Sequence, residues 1–190
     1  NTDVSHTKRL FYSGCDYLKS GYIAAGMLAL MQPTPLNILI VTGSNTMRGH
    51  LQRIEGLHAA MDEMQMQPKV LEILECQDSE EIAYQRVLAA LQHYGDEVTC
   101  MYITAGGVEG ACKAVKKLGL EHKIVVCAYD NVPFTKQMIQ EGVISFTVGQ
   151  EPELQGYQAV QRLFEYYLSG KRNVPESYFT KNIIHIKYNC

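Results

Sequence analysis

The run Ile124-Val125-Val126-Cys127-Ala128-Tyr129, stopped by Asp130-Asn131, decides the fold. An apolar, β-branched run of this length bounded by turn residues predicts a strand buried on both faces. A helical stretch near Pro133 to Gln140 follows, then a second short strand, Ile144-Ser145-Phe146-Thr147-Val148, which ends on Gln150 and Glu151. In an open parallel sheet, ligands bind outside the carboxyl ends of the strands. Asp130 and Gln150 therefore stand where such a sheet does its chemistry.

Working outward, the same alternation continues in both directions. Leu10 to Ser13 reads as a short strand, and Asp16 is placed to cap a helix through Met31 with Ile23, Met27, Leu28 and Met31 as its apolar stripe. Pro33-Thr34-Pro35 breaks that helix and reads as a crossing between lobes. A strand at Ile38 to Val41 leads to the loop Thr42 to Met47. A helix from Gly49 to Gln65 follows, with Leu51, Ile54, Leu57, Met61 and Met64 facing inward. Val70 to Leu74 is a strand, and Asp78-Ser79-Glu80-Glu81 starts a helix that runs to Tyr94. Val98 to Ile103 is a strand, followed by a helix that stops at Leu118-Gly119. Pro152 opens a long helix to Leu168, closed by Gly170, and Ile183 to Tyr188 is a last strand.

Strand–helix alternation of this kind forces parallel pairing through right-handed crossovers, so the fold class is α/β with a doubly wound parallel sheet. Five strands between residues 37 and 148 suffice for one complete lobe. The expected division is residues 1–33 as the remnant of an amino-terminal lobe and 36–148 as a carboxy-terminal lobe. Residues 149–170 form a helix returning to the first lobe, and 173–190 a terminal strand and tail.

Composition narrows the function classes. Apolar residues make up 46% and charged residues 19% of the 190 positions, a globular balance. No apolar run approaches the ~18 residues of a membrane span. The net charge of −3 argues against this chain binding nucleic acid alone. Asn1 to Leu10 is polar and lacks the pattern of an export signal, and the chain starts without Met, so an upstream part is expected. The cysteines at 15, 76, 100, 112, 127 and 190 form no CxxC pair and read as structural thiols in a reducing cytoplasm.

The converging strand ends carry Asp16, the loop Gly43-Ser44-Asn45 with Arg53 beyond it, Gly106-Gly107, Asp130 and Gln150. Fixed guanidinium donors beside carboxylate acceptors suit a ligand rich in hydroxyls. Each residue also has a plainer reading: Asp16, Asp130 and Gln150 as helix caps, and Arg53 as a surface residue. Gly106-Gly107-Val108-Glu109-Gly110 loosely resembles a phosphate-binding turn. It lacks the GxGxxG spacing and a Walker lysine. No HExxH pattern or GxSxG elbow is present. No catalytic residues, metal ligands or cofactor are expected, and the chain is not read as an enzyme.

Taken together, the residues resemble the type I periplasmic-binding fold used by LacI/GalR-type transcriptional regulators and ribose-binding proteins. The resemblance rests on Ser13-Gly14-Cys15-Asp16-Tyr17 with Gly21 and Ala24-Ala25, and on Ile40-Val41-Thr42-Gly43 with Arg53-Ile54-Glu55-Gly56-Leu57. It continues through Ala128-Tyr129-Asp130-Asn131 and Thr147-Val148-Gly149-Gln150-Glu151-Pro152 with Gly156 and Ala159. It implies a periplasmic-binding-protein-like fold of two Rossmann-like lobes, with a sugar- or nucleoside-like effector in the cleft between them. Asp16, Tyr17, Arg53, Gly106, Asp130 and Gln150 would bind that effector. Gly106-Gly107 replaces the family's usual Asn-Asp, so a hydrogen-bonding side chain is expected to be missing there, and Leu57 replaces an aromatic. The leading expectation is the effector-binding part of a cytoplasmic LacI-type regulator, a homodimer that meets DNA only through an upstream helix-turn-helix domain absent from this chain. The alternative is the solute-binding protein of a sugar ABC transporter, and a membrane partner is not expected.

Overall fold

The computed structural model describes residues 3–4, 7–31, 35–168, 170 and 175–190. The expected break at Pro33-Thr34 lies outside the described residues. In chain order the elements are β1 (Tyr12–Cys15), α1 (Tyr17–Met31), β2 (Asn37–Thr42), α2 (Arg48–Glu63), β3 (Lys69–Glu75), α3 (Glu80–Tyr94), β4 (Cys100–Ile103) and α4 (Val108–Lys117). They continue with β5 (Val125–Tyr129), α5 (Pro133–Gln140), β6 (Phe146–Gly149), α6 (Pro152–Leu168), β7 (Ser177–Thr180) and β8 (Ile183–His185). Contacts group them into two units, residues 1–16 with 150–183 and residues 17–149 with 184–190.

The larger unit is built on a six-stranded sheet in the order β3-β2-β4-β5-β6-β8. Pairing is parallel from β3 through β6. Its inner strands β2, β4, β5 and β6 are buried on both faces, and consecutive residues alternate between two cores, while β3 and β8 at the sheet edges are largely open. Ile38, Ile40, Tyr102 and Cys127 pack with Ala24, Leu28, Leu57 and Met61 of α1 and α2. Leu39, Val41, Met101, Ile103 and Val126 pack with residues of α3, α4 and α5, among them Val87, Leu91, Val115 and Met138. Each fully buried aliphatic side chain contributes about 1.5–3 kcal/mol, so this sandwich holds the strand ends in place.

The smaller unit pairs β1 with β7 in parallel, Tyr12 opposite Ser177 and Cys15 opposite Thr180. Thr180 Oγ1 lies 2.7 Å from the Gln150 carbonyl and 3.4 Å from the Gly14 carbonyl, which ties the start of the α6 segment to both strands.

Several sequence expectations are corrected. The helix over 17–31 packs on α2 in the larger unit, not with residues 1–16, so the boundary expected at residue 33 falls at 16. The buried face of α1 is Ser20, Gly21, Ala24, Ala25 and Leu28, while Met31 is exposed. The reason is close helix approach: a Cβ on Gly21 would stand 2.2 Å from the Arg53 carbonyl oxygen, and one on Gly56 2.0 Å from that of Leu18. Large side chains cannot occupy such a seam. On α2, Leu51 and Met64 are likewise exposed, and Gly49, Arg53 and Gly56 are buried in their place. β1 starts two residues later than expected, β7 was not anticipated, and β8 ends at His185 rather than Tyr188. β1 belongs to the two-stranded sheet, so Asp16 does not extend from the sheet that carries the other strand ends.

Candidate ligand-binding site

The parallel strands β2, β3, β4 and β5 bring the residues that follow them to one edge of the larger unit. Arg53, in the second turn of α2, is the centre of that edge. It is only 4% exposed, which overturns its reading as a surface residue. Its guanidinium carbon lies 3.5 Å from the ring centroid of Tyr129 and 5.1 Å from that of Tyr17. Nη1 donates to the Thr104 carbonyl just past β4, and buried Nε has no hydrogen-bond partner.

Aromatic residues of the strands hold this cation. The Tyr102 and Tyr129 hydroxyls are 2.6 Å apart, and Tyr102 donates to the Arg53 carbonyl at 3.2 Å. Burial pushes both phenols well above their usual range, so they stay protonated and act as hydrogen-bonding groups. No carboxylate forms an ion pair with Arg53 among the described residues. A cation buried against ring faces and one carbonyl retains capacity for an oxygen-rich ligand.

Asp130 follows β5 directly and is exposed. Its φ of 70° is a left-handed conformation that Asp tolerates better than most residues. Its N–H donates to the Val148 carbonyl at 3.1 Å. The N-cap position of α5 is Val132, two residues beyond Asp130, and its N–H is received by Thr135 Oγ1 at 3.0 Å.

Gly106 leaves its own position without a hydrogen-bonding side chain, and a residue from another loop reaches it. The loop after β3 carries a carboxylate there: Gly106 N–H donates to Asp78 Oδ1 at 2.9 Å. A Cβ on Gly43 would stand 2.4 Å from the same oxygen, and one on Gly106 3.0 Å. The two glycines make room for Asp78, which as a sequence signal marks only a helix start. The residue that caps α3 is Ser79. No spacing rule would have found the pairing, because Asp78 and Gly106 come from different crossovers.

Two amides of the glycine-rich turn after β4 are taken up by one carboxylate. Glu80 Oε2 accepts Gly110 N–H at 2.7 Å and Oε1 accepts Gly107 N–H at 3.3 Å. A side chain of α3 thus satisfies the start of α4, which explains the turn without a phosphate.

The larger unit therefore brings together Tyr17, Arg53, Gly106 and Asp130. Asp16 and Gln150 belong to the smaller unit. There the Asp16 carbonyl accepts from Asn182 Nδ2 at 3.3 Å, and the Gln150 carbonyl from Gln155 Nε2 at 2.7 Å. Glu151, not Gln150, immediately precedes α6. Among the described residues no group of three or more His, Cys, Asp or Glu could hold a metal ion, and no helix is long and apolar enough to cross a membrane.

Residues 1–172 match the periplasmic binding protein domain family. The chain belongs to this family. Its periplasmic-binding-protein-like α/β fold is the one also used by LacI-type effector domains. Among solved structures it is similar to GanP, a glucose-galactose binding protein from Geobacillus stearothermophilus. Identity is 28% and the TM-score 0.90, over 99% of this chain and 66% of GanP. An ABC transporter solute binding protein from Burkholderia graminis in complex with D-arabinose aligns with a TM-score of 0.91 at 20% identity, over 100% of this chain and 66% of that one. The arabinose binding protein AraP from Geobacillus stearothermophilus aligns with a TM-score of 0.84 at 21% identity, over 100% of this chain and 67% of AraP. This periplasmic binding protein domain thus spans about two thirds of the length of the solved proteins it resembles. No curated protein matches it.

Proposed function

We propose that this chain is the ligand-binding part of a sugar solute-binding protein serving an ABC transporter. The observation that carries this reading is Arg53, buried between Tyr17 and Tyr129 on the strand edge where Asp130 also stands. Fixed guanidinium donors, aromatic faces and a nearby carboxylate match the donors, acceptors and apolar faces of a sugar ring. The similarity to the glucose-galactose binding protein GanP at 28% identity supports the same ligand class. In this reading Tyr17, Arg53, Gly106 and Asp130 are the ligand contacts of the larger unit, and the chain binds without turning its ligand over.

The test is calorimetric titration of the full chain with D-glucose, D-galactose, D-arabinose, D-allose and D-ribose. Binding of at least one is expected. Asp130→Asn keeps the shape but removes the charge, and should weaken that binding by about 1–3 kcal/mol. No heat from any sugar in the panel would overturn the reading.

A second reading is the effector domain of a cytoplasmic LacI-type regulator, a homodimer acting on DNA through an upstream domain. The observation in its favour is that Cys15, Cys76, Cys100, Cys112 and Cys127 are all buried free thiols, as suits a reducing compartment. Cell fractionation separates the two: recovery of the protein outside the cytoplasmic membrane excludes the regulator.

A further inference from the structure

We infer that Asp78 is a ligand-contacting, specificity-determining residue of this site, supplying from the β3–α3 loop the hydrogen-bonding group that Gly106 lacks. The inference rests on the sugar-binding reading and extends it to a residue outside the family pattern.

Three observations carry it. First, the β3–α3 loop leaves the edge strand β3 and folds across the end of β2 to reach the end of β4. Gln77 N–H donates to the Gly43 carbonyl at 2.7 Å, and Gly106 N–H to Asp78 Oδ1 at 2.9 Å. Asp78 is thereby brought to the centre of the strand edge that presents Arg53 and Asp130.

Second, the path is conformationally costly. Gln77 and Asp78 are consecutive non-glycine residues at φ 52° and 55°. Positions of this kind persist where the surroundings demand them, and they concentrate at functional sites. The space they need exists only because residues 43 and 106 are glycines.

Third, the carboxylate is half used. Oδ1 holds Gly106 N–H, Oδ2 has no donor among the described residues, and Asp78 is exposed. Thr104, whose carbonyl accepts from Arg53 Nη1, lies two residues before Gly106, whose amide Asp78 holds; in that arginine side chain, more than nine-tenths buried, Nε has no partner. His50 lies close enough to both Asp78 and Arg53 to feel their charges. An anchored carboxylate and an unfilled guanidinium nitrogen on one strand edge offer an acceptor and a donor to a ligand's hydroxyls.

The experiment starts from the sugar of the five-member panel that binds the full chain tightest, and compares wild type, Asp78→Asn, Asp78→Ser and Asp130→Asn. Both Asp78 variants keep an acceptor for Gly106 N–H. They should melt near wild type without ligand yet bind the sugar about 10–100-fold more weakly, the loss of one charge-assisted bond. A monodeoxy series of the same sugar should contain one member that wild type and Asp78→Asn bind alike. Binding by both Asp78 variants within twofold of wild type, with Asp130→Asn still defective, would overturn the inference and leave the sugar-binding reading standing. Failure of wild type to bind any panel sugar would overturn both.

Discussion

The guanidinium carbon of Arg53 stands 3.5 Å from the centre of the Tyr129 ring, with the Thr104 carbonyl as its hydrogen-bond acceptor. One residue of α2 therefore links the ends of two neighbouring strands, β4 and β5. Arg53→Ala strips that carbonyl of a charged donor and uncovers the ring face. A charged hydrogen bond contributes about 1.5–3 kcal/mol and a desolvated cation–π contact roughly 0.5–2, so a loss of about 2–5 kcal/mol is expected in denaturant titration. Arg53→Lys, which cannot stack as a plane, should recover less than half of it. Loss below about 1 kcal/mol would mean that the buried cation is a net burden in the ligand-free protein.

Gly21→Ala and Gly56→Ala set two effects against each other. Alanine is the better helix former by about 1 kcal/mol. The added carbon, however, would meet backbone oxygens at 2.2 and 2.0 Å, which move only if α1 and α2 part. Overpacking of this kind costs about 1–3 kcal/mol, so both variants should melt lower than wild type. Equal or higher melting temperatures would show that the helices separate freely.

Glu80 caps a helix other than its own. Glu80→Ala leaves Gly107 and Gly110 N–H without acceptors and should cost about 0.5–2 kcal/mol. Glu80→Gln keeps an acceptor but loses the negative charge at the helix start, and should cost less. Hydrogen exchange at Gly110 is the sharpest readout, since the alanine variant should exchange faster there while α5 amides are unchanged.

His50 gives the larger unit an acid sensitivity. Burial, the main cause, pushes its imidazole below the usual 6.5; Asp78 pulls it partly back and Arg53 pushes it further down. The unfolded chain then binds more protons than the folded one below pH 6.5, so stability is fully present above that value and falls as the pH drops through the lowered folded value. His50→Asn should flatten the melting-temperature profile between about pH 7 and pH 5. The Lys116–Glu141 pair acts in a separate window, because it holds the Glu141 carboxyl below 4.5. An unchanged slope in the variant would assign the sensitivity to other groups.

Thiol reactivity should divide five to one. Burial raises Cys76, lifts Cys112 to about 12 and pushes Cys100 and Cys127 higher still, and Cys15 is buried as well. The thiolate is the reactive form. Ellman's reagent at neutral pH should therefore label Cys190 promptly in the native protein and the other five only on unfolding. Rapid native labelling of Cys127 would mean that β5 opens on the minute scale.

The architecture was readable because its signals are local. The run Val125–Tyr129 reads as a doubly buried strand from composition alone, and Pro133 and Ser79 mark helix starts by the chemistry of their own residues. The buried faces of α1 and α2 are legible in part: Leu28, Leu57 and Met61 are buried as expected, but periodicity also rewards Met31, Leu51 and Met64, whereas the seam selects Gly21 and Gly56 by clearance. β7 escaped notice because Ser177-Tyr178-Phe179-Thr180 is short and only its final residue is buried. At the site, Arg53 was found by its place after β2. Asp78 was not, because its partner amide at Gly106 belongs to a distant crossover and no spacing encodes that meeting.

The pairing of β1 with β7 bears on how the chain reaches this structure. Nearly all of the larger unit is one uninterrupted stretch, whose strands close through single strand–helix–strand loops. The smaller sheet joins Tyr12 to Ser177, so its first backbone bond must bring together two stretches far apart in sequence. Loop-closure entropy rises with the logarithm of loop length, and contacts of long separation form late. While unit 17–149 is still a coil, the two stretches rarely meet; once it has condensed, the separation they must search shrinks to the span of a folded body. On this account topology favours late pairing of β1 with β7, after the strand–helix–strand contacts of the larger unit have formed.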